Sequence, residues 1–376
     1  MKKIPLVLFA ILLVSSLLVV GCAQATPAQT AVPATVTVTV TAPAPVASPT
    51  PTAPAKTIEL SFSHTFPPGS SLGMTLQRWA DRIGEETNGR VKITVYGGGS
   101  LLKAAEIYDG VATGVADIGY GHPSDDLGRF GLESAFALPG LGWPEAWPIV
   151  VSKNRIAREI RGKFPQIQAK QADVVHLADG WMPPYTFQSV KKAVRVPEDI
   201  KGMRVAASGF LIPMAETLGA VPVTVPAADR YMSLERGLID GSWDIWGGIF
   251  AMRHFEISKF FTDGPDFGEA SAMIIMNKKK YDALPEDIKQ IFQFQRNFSL
   301  LLHREAYIPA IQLGQNNAVQ KGAQLIATTP EENARWVKAL QPVEAAWIKD
   351  IEARGLPAKA FLDELKRMIE QAKVKK

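Results

Sequence analysis

The sequence predicts an α/β protein of two lobes, carried behind an exported and leashed amino end. Three observations lead there. Strand-like and helix-like segments alternate over residues 57–120, and the alternation resumes over residues 176–245. About 320 residues follow the amino-terminal 56, enough for two lobes each with its own core. Residues 1–56 have the composition of a leader and a linker, and neither can contribute a core.

The amino end opens with Lys2 and Lys3, continues through the mostly apolar stretch from Leu6 to Val20, and reaches small residues at Gly21. That is the layout of a signal peptide over residues 1–21. The run is interrupted by Ser15 and Ser16 and falls short of the roughly 20 apolar residues that span a bilayer, so cleavage is expected instead of spanning. Val19, Val20, Gly21 and Cys22 resemble the lipobox of bacterial lipoproteins, which implies that Cys22 carries a diacylglycerol and begins the mature chain. Cys22 is the only cysteine, which excludes disulfides, zinc knuckles and cysteine nucleophiles elsewhere. Residues 22–56 are rich in Ala, Thr, Pro and Val and read as a lipid-anchored tether. At roughly 3 Å per residue it reaches up to about 100 Å from a membrane. The expected location is therefore extracytoplasmic, on a membrane surface.

The whole chain carries a formal charge of +4, of which Lys2 and Lys3 supply two. With no basic block standing out, a nucleic-acid partner is not expected. Along the folded part, Thr57 to Ser63 alternates as a strand. Ser70 or Ser71 caps a helix to about Thr87, with Leu72, Leu76, Trp79 and Ile83 on one face. Val91 to Tyr96 is a second strand, Ala104 to Thr113 a helix and Asp117 to Tyr120 a third strand, an order that points to a parallel sheet. Further on, His176 to Ala178, Arg204 to Ala206, Val221 to Val225 and Asp240 to Ile245 read as strands, with helices at Phe210 to Leu218 and Ala228 to Arg236. From Glu286 to Gly322 the pattern is one long helix, kinked or broken at Pro309. Helices at Pro330 to Arg354 and Lys359 to Lys373 close the chain.

Four stretches carry a more specific signal: Ser63 to Gly69 followed by Glu86 to Ile93; Gly110 to Ile118; Val196 to Val205 continuing to Leu218 to Val223; and Tyr231 to Gly241. In this order and spacing the chain resembles the solute-binding proteins of tripartite ATP-independent periplasmic (TRAP) transporters, over residues 57 to about 350. The resemblance implies a two-lobed, periplasmic-binding-protein-like fold with a central cleft, hinge strands and a long lobe-spanning helix. Lobe I is expected over about 57–178 and 269–300, and lobe II over about 179–268 and 301–376. A small organic solute would be caught between the lobes and passed to the membrane subunits of a TRAP permease.

The chain departs from that family at one telling place. Members usually carry an arginine, inside the strand after the Glu198–Gly202 phrase, whose fork pairs with the ligand carboxylate; here the position is Ala206, with Arg204 two residues earlier. Losing a bidentate arginine removes charge-assisted hydrogen bonds, roughly twice as strong as neutral ones. Aromatic residues stand at strand ends and in adjoining loops: Phe66, Tyr120, Trp181, Tyr185, Phe210, Trp243 and Trp246. With His64 at the end of the first strand and Asp244 at the end of a later one, they outline a pocket for a carboxylate, aromatic or amine-bearing ligand. His122 follows the third strand as His64 follows the first. Relatives that bind oxo or hydroxy acids use an acidic residue and a neighbouring tryptophan in a metal site, so by resemblance Trp243, Asp244 and Gln188 are candidates to hold an ion that bridges the ligand. No other cofactor is expected.

Two other functions compete. The same fold permits a ligand sensor that signals to a membrane protein. An enzyme lacks support, since there is no nucleophile elbow or paired metal histidines, and Gly97, Gly98 and Gly99 lack the lysine and spacing of a phosphate loop. Without an arginine at position 206, succinate is expected to leave the melting temperature of the mature domain unchanged; a clear upward shift would show that a dicarboxylate clamp exists after all.

Overall fold

The computed structural model describes residues 57–374 apart from 127, 144–148, 298–300 and 302. The signal peptide, Cys22 and the tether lie outside the described residues. Eleven strands are described: β1 (Ile58–Ser63), β2 (Val91–Tyr96), β3 (Ile118–Gly121), β4 (Val174–Trp181), β5 (Thr186–Ser189), β6 (Arg204–Ala206), β7 (Val221–Val223), β8 (Gly241–Asp244), β9 (Phe260–Asp263), β10 (Ser271–Asn277) and β11 (Gln324–Ala327). They form two sheets, one ordered β2-β1-β3-β10-β4 and the other β11-β9-β5-β8-β6-β7.

The first sheet begins as the sequence predicts. β1 alternates, with Leu60 and Phe62 buried beneath the helix Ser71–Glu86. Ser70 caps that helix, its hydroxyl accepting from the Gly73 amide at 3.1 Å and relieving one of the unpaired donors of the first turn. β1 pairs in parallel with both β2 and β3. The expectation of a parallel sheet is corrected by β10, which runs antiparallel to β3 and β4. The chain returns to this sheet from the second lobe, so β10 enters at the end where β3 and β4 leave. All seven residues of β10 are buried, and a continuous apolar run covered on both faces carries no alternation to identify it.

Two segments cross between the sheets and are tied to each other. The Met182 amide donates to the Ala270 carbonyl at 2.9 Å, and the Tyr185 amide to Gly268 at 3.1 Å. Gly268 has φ +86°, and a Cβ there would lie 2.2 Å from the Ala137 carbonyl oxygen, so the crossing admits no other residue without moving backbone. The third connection is helical, but not one long helix. Its described parts are the α-helix Glu286–Phe294, a 3-10 turn Gln295–Asn297, a π-turn His303–Tyr307 and the α-helix Ile308–Gln320. Pro309 stands in the first turn of this last segment, where its missing N–H costs nothing.

The largest core joins the two halves of the sequence: Phe136 and Ile156 meet Phe187, Met214, Trp336 and Phe361 in one apolar cluster. Five ionised groups are buried beside this cluster. Arg161 bridges Glu133 at 2.5 Å and Asp179 at 2.6 Å, with burial opposed by the two carboxylates that hold its charge. Lys153 pairs with Glu269, and its ammonium lies 5.5 Å and 5.6 Å from the ring centroids of Trp143 and Trp181.

Removing one member of such a network strands the others in the interior, which costs about 3–5 kcal/mol. Arg161→Met is expected to lower the unfolding free energy by about that amount; a denaturant titration giving less than about 1 kcal/mol would mean that the carboxylates find water or neutralise.

Candidate functional site

The carboxyl ends of β1, β3 and β4 in one sheet and of β6, β8 and β9 in the other approach the crossing segments, the usual place for a ligand crevice in α/β sheets. A cavity of about 370 Å³ lies there. Phe66 and Pro67 from the loop after β1 form one wall, Met182 and Tyr185 of a crossing segment form its back, and Arg230, Asp244 and Tyr307 face them.

The electrostatics reside in two of these residues. Arg230 opens the short helix Arg230–Glu235, whose Ser233 and Leu234 are buried. It therefore stands on the inward face, since positions three and four apart share one side of a helix. One guanidinium nitrogen donates to Asp244 Oδ2 at 3.2 Å, and the side chain is only 12% exposed. Its Nε is buried with no hydrogen-bond partner among the described residues, an unusual condition for a charged donor. Asp244 ends β8. Its Oδ1 accepts from the Ile245 amide at 2.8 Å, and room for the carboxylate exists because residue 248 is glycine: a Cβ there would meet Oδ1 at 2.3 Å.

A buried polar layer lies behind Asp244. Gln188 donates to Ser242 Oγ at 2.8 Å, meets His254 Nδ1 at 2.9 Å and accepts from the Ser258 hydroxyl at 3.0 Å. Burial pushes the His254 imidazole below its ordinary range, only partly offset by Asp244, whose Oδ2 lies 3.9 Å from Nδ1. Gln188 is fully buried and spends its amide on these neighbours. Among the described residues no group of three or more His, Cys, Asp or Glu is arranged to hold a metal.

Of the other expected residues, Phe66, Tyr185, Trp243 and Asp244 line the cavity, whereas His64, Tyr120, Trp181, Ala206, Phe210 and Trp246 are not among its lining residues. Each has a structural reason. Tyr120 packs edge-on behind Phe66 at 5.5 Å and reaches the Tyr307 hydroxyl. Phe210 packs behind Tyr185 at 5.8 Å. Trp181 is buried in the core and donates to Asn154 at 2.7 Å. Trp246 lies 4.9 Å from Phe261 and donates to Asp263 at 3.1 Å. Trp243 points its ring away from Asp244, as successive strand residues must, into Phe187 and Phe267. Ala206 is buried in a small cluster with Leu234 and Ile239. Arg204 forms a fork with Asp240, at 3.1 Å and 2.9 Å, and so is committed away from the cavity. Arg230, Met182 and Tyr307 were not foreseen. For Arg230 the signal was available: a charged residue three and four positions before the buried Ser233 and Leu234 of its own helix.

With the geometry in place, comparison identifies the family. The model of the bacterial extracellular solute-binding proteins of family 7 matches residues 62–129 and 166–350. The chain belongs to that family. The C4-dicarboxylate-binding periplasmic protein DctP of Vibrio cholerae serotype O1 is 27% identical over 304 residues, covering 79% of this chain and 88% of its own. Among solved structures, a TRAP solute-binding protein from Rhodoferax ferrireducens T118 in complex with copurified benzoate is 25% identical, with a TM-score of 0.75, over 85% of this chain and 99% of its own. A marine metagenome TRAP solute-binding protein specific for aromatic acid ligands has the same fold, with a TM-score of 0.75 at 23% identity over 84% of this chain and 99% of its own. This family-7 chain is thus a solute-binding protein whose two-lobed fold is that of the TRAP binding proteins.

His64 has a different part in this fold. It is 1% exposed, its Nδ1 accepts from the Phe66 amide at 3.2 Å, and burial pushes its pKa down to about 4. A folded pKa below the unfolded 6.5 means that the unfolded chain takes up a proton first as pH falls, so stability is retained above pH 6.5 and lost from there down to about 4. The full loss is roughly 3 kcal/mol for this group. Comparing melting at pH 7 and pH 5, His64→Gln is expected to lose less stability on acidification than the wild type; equal losses would remove His64 as a cause.

Proposed function

We propose that this protein captures a small organic acid of substantially apolar body in the cavity between its sheets and delivers it to a TRAP-type membrane permease. The observation that carries this reading is Arg230: a guanidinium with an unused, buried Nε–H, held by Asp244 at the edge of a 370 Å³ cavity whose other walls include Phe66, Met182 and Tyr185. It presents a fork for a carboxylate from the short helix after β7, the charge that position 206 lacks. The benzoate carried by the Rhodoferax ferrireducens relative supports an acid with a flat apolar body. Closing the lobes would remove the carboxylate from water and strengthen its pairing with Arg230. The protein acts as a carrier and not as an enzyme in this reading, with no cofactor, and Trp243, Asp244 and Gln188 serve the pocket without a metal. Lipidated Cys22 and the tether of residues 22–56 would hold it on the outer side of a membrane, near its permease.

The test is isothermal titration with benzoate, mandelate and 3-phenylpropanoate. At least one is expected to bind, and Arg230→Met to weaken it about 10- to 100-fold, the range for a hydrogen bond to a charged group. Arg230→Lys, which keeps the charge but not the fork, should fall between. Unchanged affinity in Arg230→Met, or no binding by any carboxylate ligand offered, would overturn the assignment.

A further inference from the structure

We propose that the preferred solute is a zwitterionic α-amino acid with an apolar side chain, its carboxylate on Arg230 and its ammonium on Asp244. This rests on the reading of the cavity as an acid-binding site and narrows it to one class of acid. Among the described residues, Arg230 and Asp244 are the only ones with formal charge that line this cavity, and they are opposite. They lie side by side, 3.2 Å apart at their nearest atoms, so the wall presents adjacent positive and negative poles. An α-amino acid carries the complementary pair on a single carbon.

Charge balance favours that ligand over a plain monoacid. A monocarboxylate neutralises Arg230 but leaves Asp244 as an unmatched anion close to the bound carboxylate, where water is scarce and like charges repel strongly. A zwitterion satisfies both groups and leaves the filled cavity neutral. Both partners retain hydrogen-bonding capacity: the guanidinium spends one bond on Asp244 and has an unpartnered Nε, and each Asp244 oxygen takes one described hydrogen bond, fewer than a carboxylate can accept. Among the described residues no second cation beside Arg230 forms an ion pair with Asp244. His254, the other basic group within 4 Å, is fully buried and pairs through Nδ1 with Gln188. Beyond the charged pair, Phe66, Met182, Leu211, Ile245 and Ala310 are available to a hydrocarbon or aromatic side chain, with the hydroxyl residues Thr65, Ser70, Ser71 and Ser208 also on the wall.

A carboxylate with no ligand role would serve only to orient Arg230, and the two cases separate by experiment. The mature full-length chain is titrated at pH 7.5 with L-leucine, L-methionine, L-phenylalanine and L-tryptophan, each beside its deaminated acid, for example 3-phenylpropanoate beside phenylalanine, and with phenethylamine as the acid-free control. At least one amino acid is expected to bind ten-fold or more tightly than its deaminated partner. Asp244→Asn should abolish that preference, weakening the amino acid at least ten-fold more than its deaminated partner. Equal or tighter binding of every deaminated acid overturns the inference and leaves the acid-binding reading intact; so does an Asp244→Asn variant that weakens both ligand series equally, which marks Asp244 as only a support for Arg230. Binding of phenethylamine alone, or no binding by any acid, overturns both.

Discussion

The structure depends on the way the chain crosses between its two sheets. Residues 182–185 leave the first sheet and residues 264–270 return to it, and the two segments are bound to each other through Met182 with Ala270 and Tyr185 with Gly268. This pairing fixes which strand ends face which. It also forces β10 to run against its neighbours and places Met182 and Tyr185 at the back of the cavity. The two hydrogen-bonded crossings tie the sheets to each other at the back of the cavity.

Within the cavity the decisive element is a short ion pair that is only partly satisfied. An exposed Arg–Asp pair contributes little, but Arg230 and Asp244 are 12% and 15% exposed, and the arginine has a buried donor to spare. The neighbourhood is built around this pair: Gly248 gives the carboxylate its space, and Gln188, Ser242, Ser258 and His254 form a bonded layer behind it. Asp244 is itself held by the Ile245 amide at 2.8 Å and in turn holds one Arg230 nitrogen at 3.2 Å.

Much of the fold was legible in the sequence because half-buried elements announce themselves. β1, β2 and β6 fall where alternation placed them, and the cap at Ser70 is where a serine precedes a helical apolar stripe. The elements that escaped notice are short or buried on both faces: β5 and β9 have four residues each, and β10 is wholly buried. The site was less legible. Sequence position does not separate a cavity wall from the layer behind it: Tyr120 and Phe210, expected in the cleft, pack against Phe66 and Tyr185. Attention to the missing arginine at Ala206 hid the arginine 24 positions later, because a charged residue at a helix start ordinarily reads as solvated.

The central claim is that a solute carboxylate is held by Arg230 between the two sheets. A crystal structure of the mature domain grown with its bound solute tests this most directly. The account predicts carboxylate oxygens within hydrogen-bond distance of two Arg230 nitrogens, Nε among them, and contact of the same ligand with Phe66 and Tyr185. A ligand seated elsewhere, or one whose carboxylate is bound by other groups while Arg230 remains paired with Asp244 alone, would contradict it.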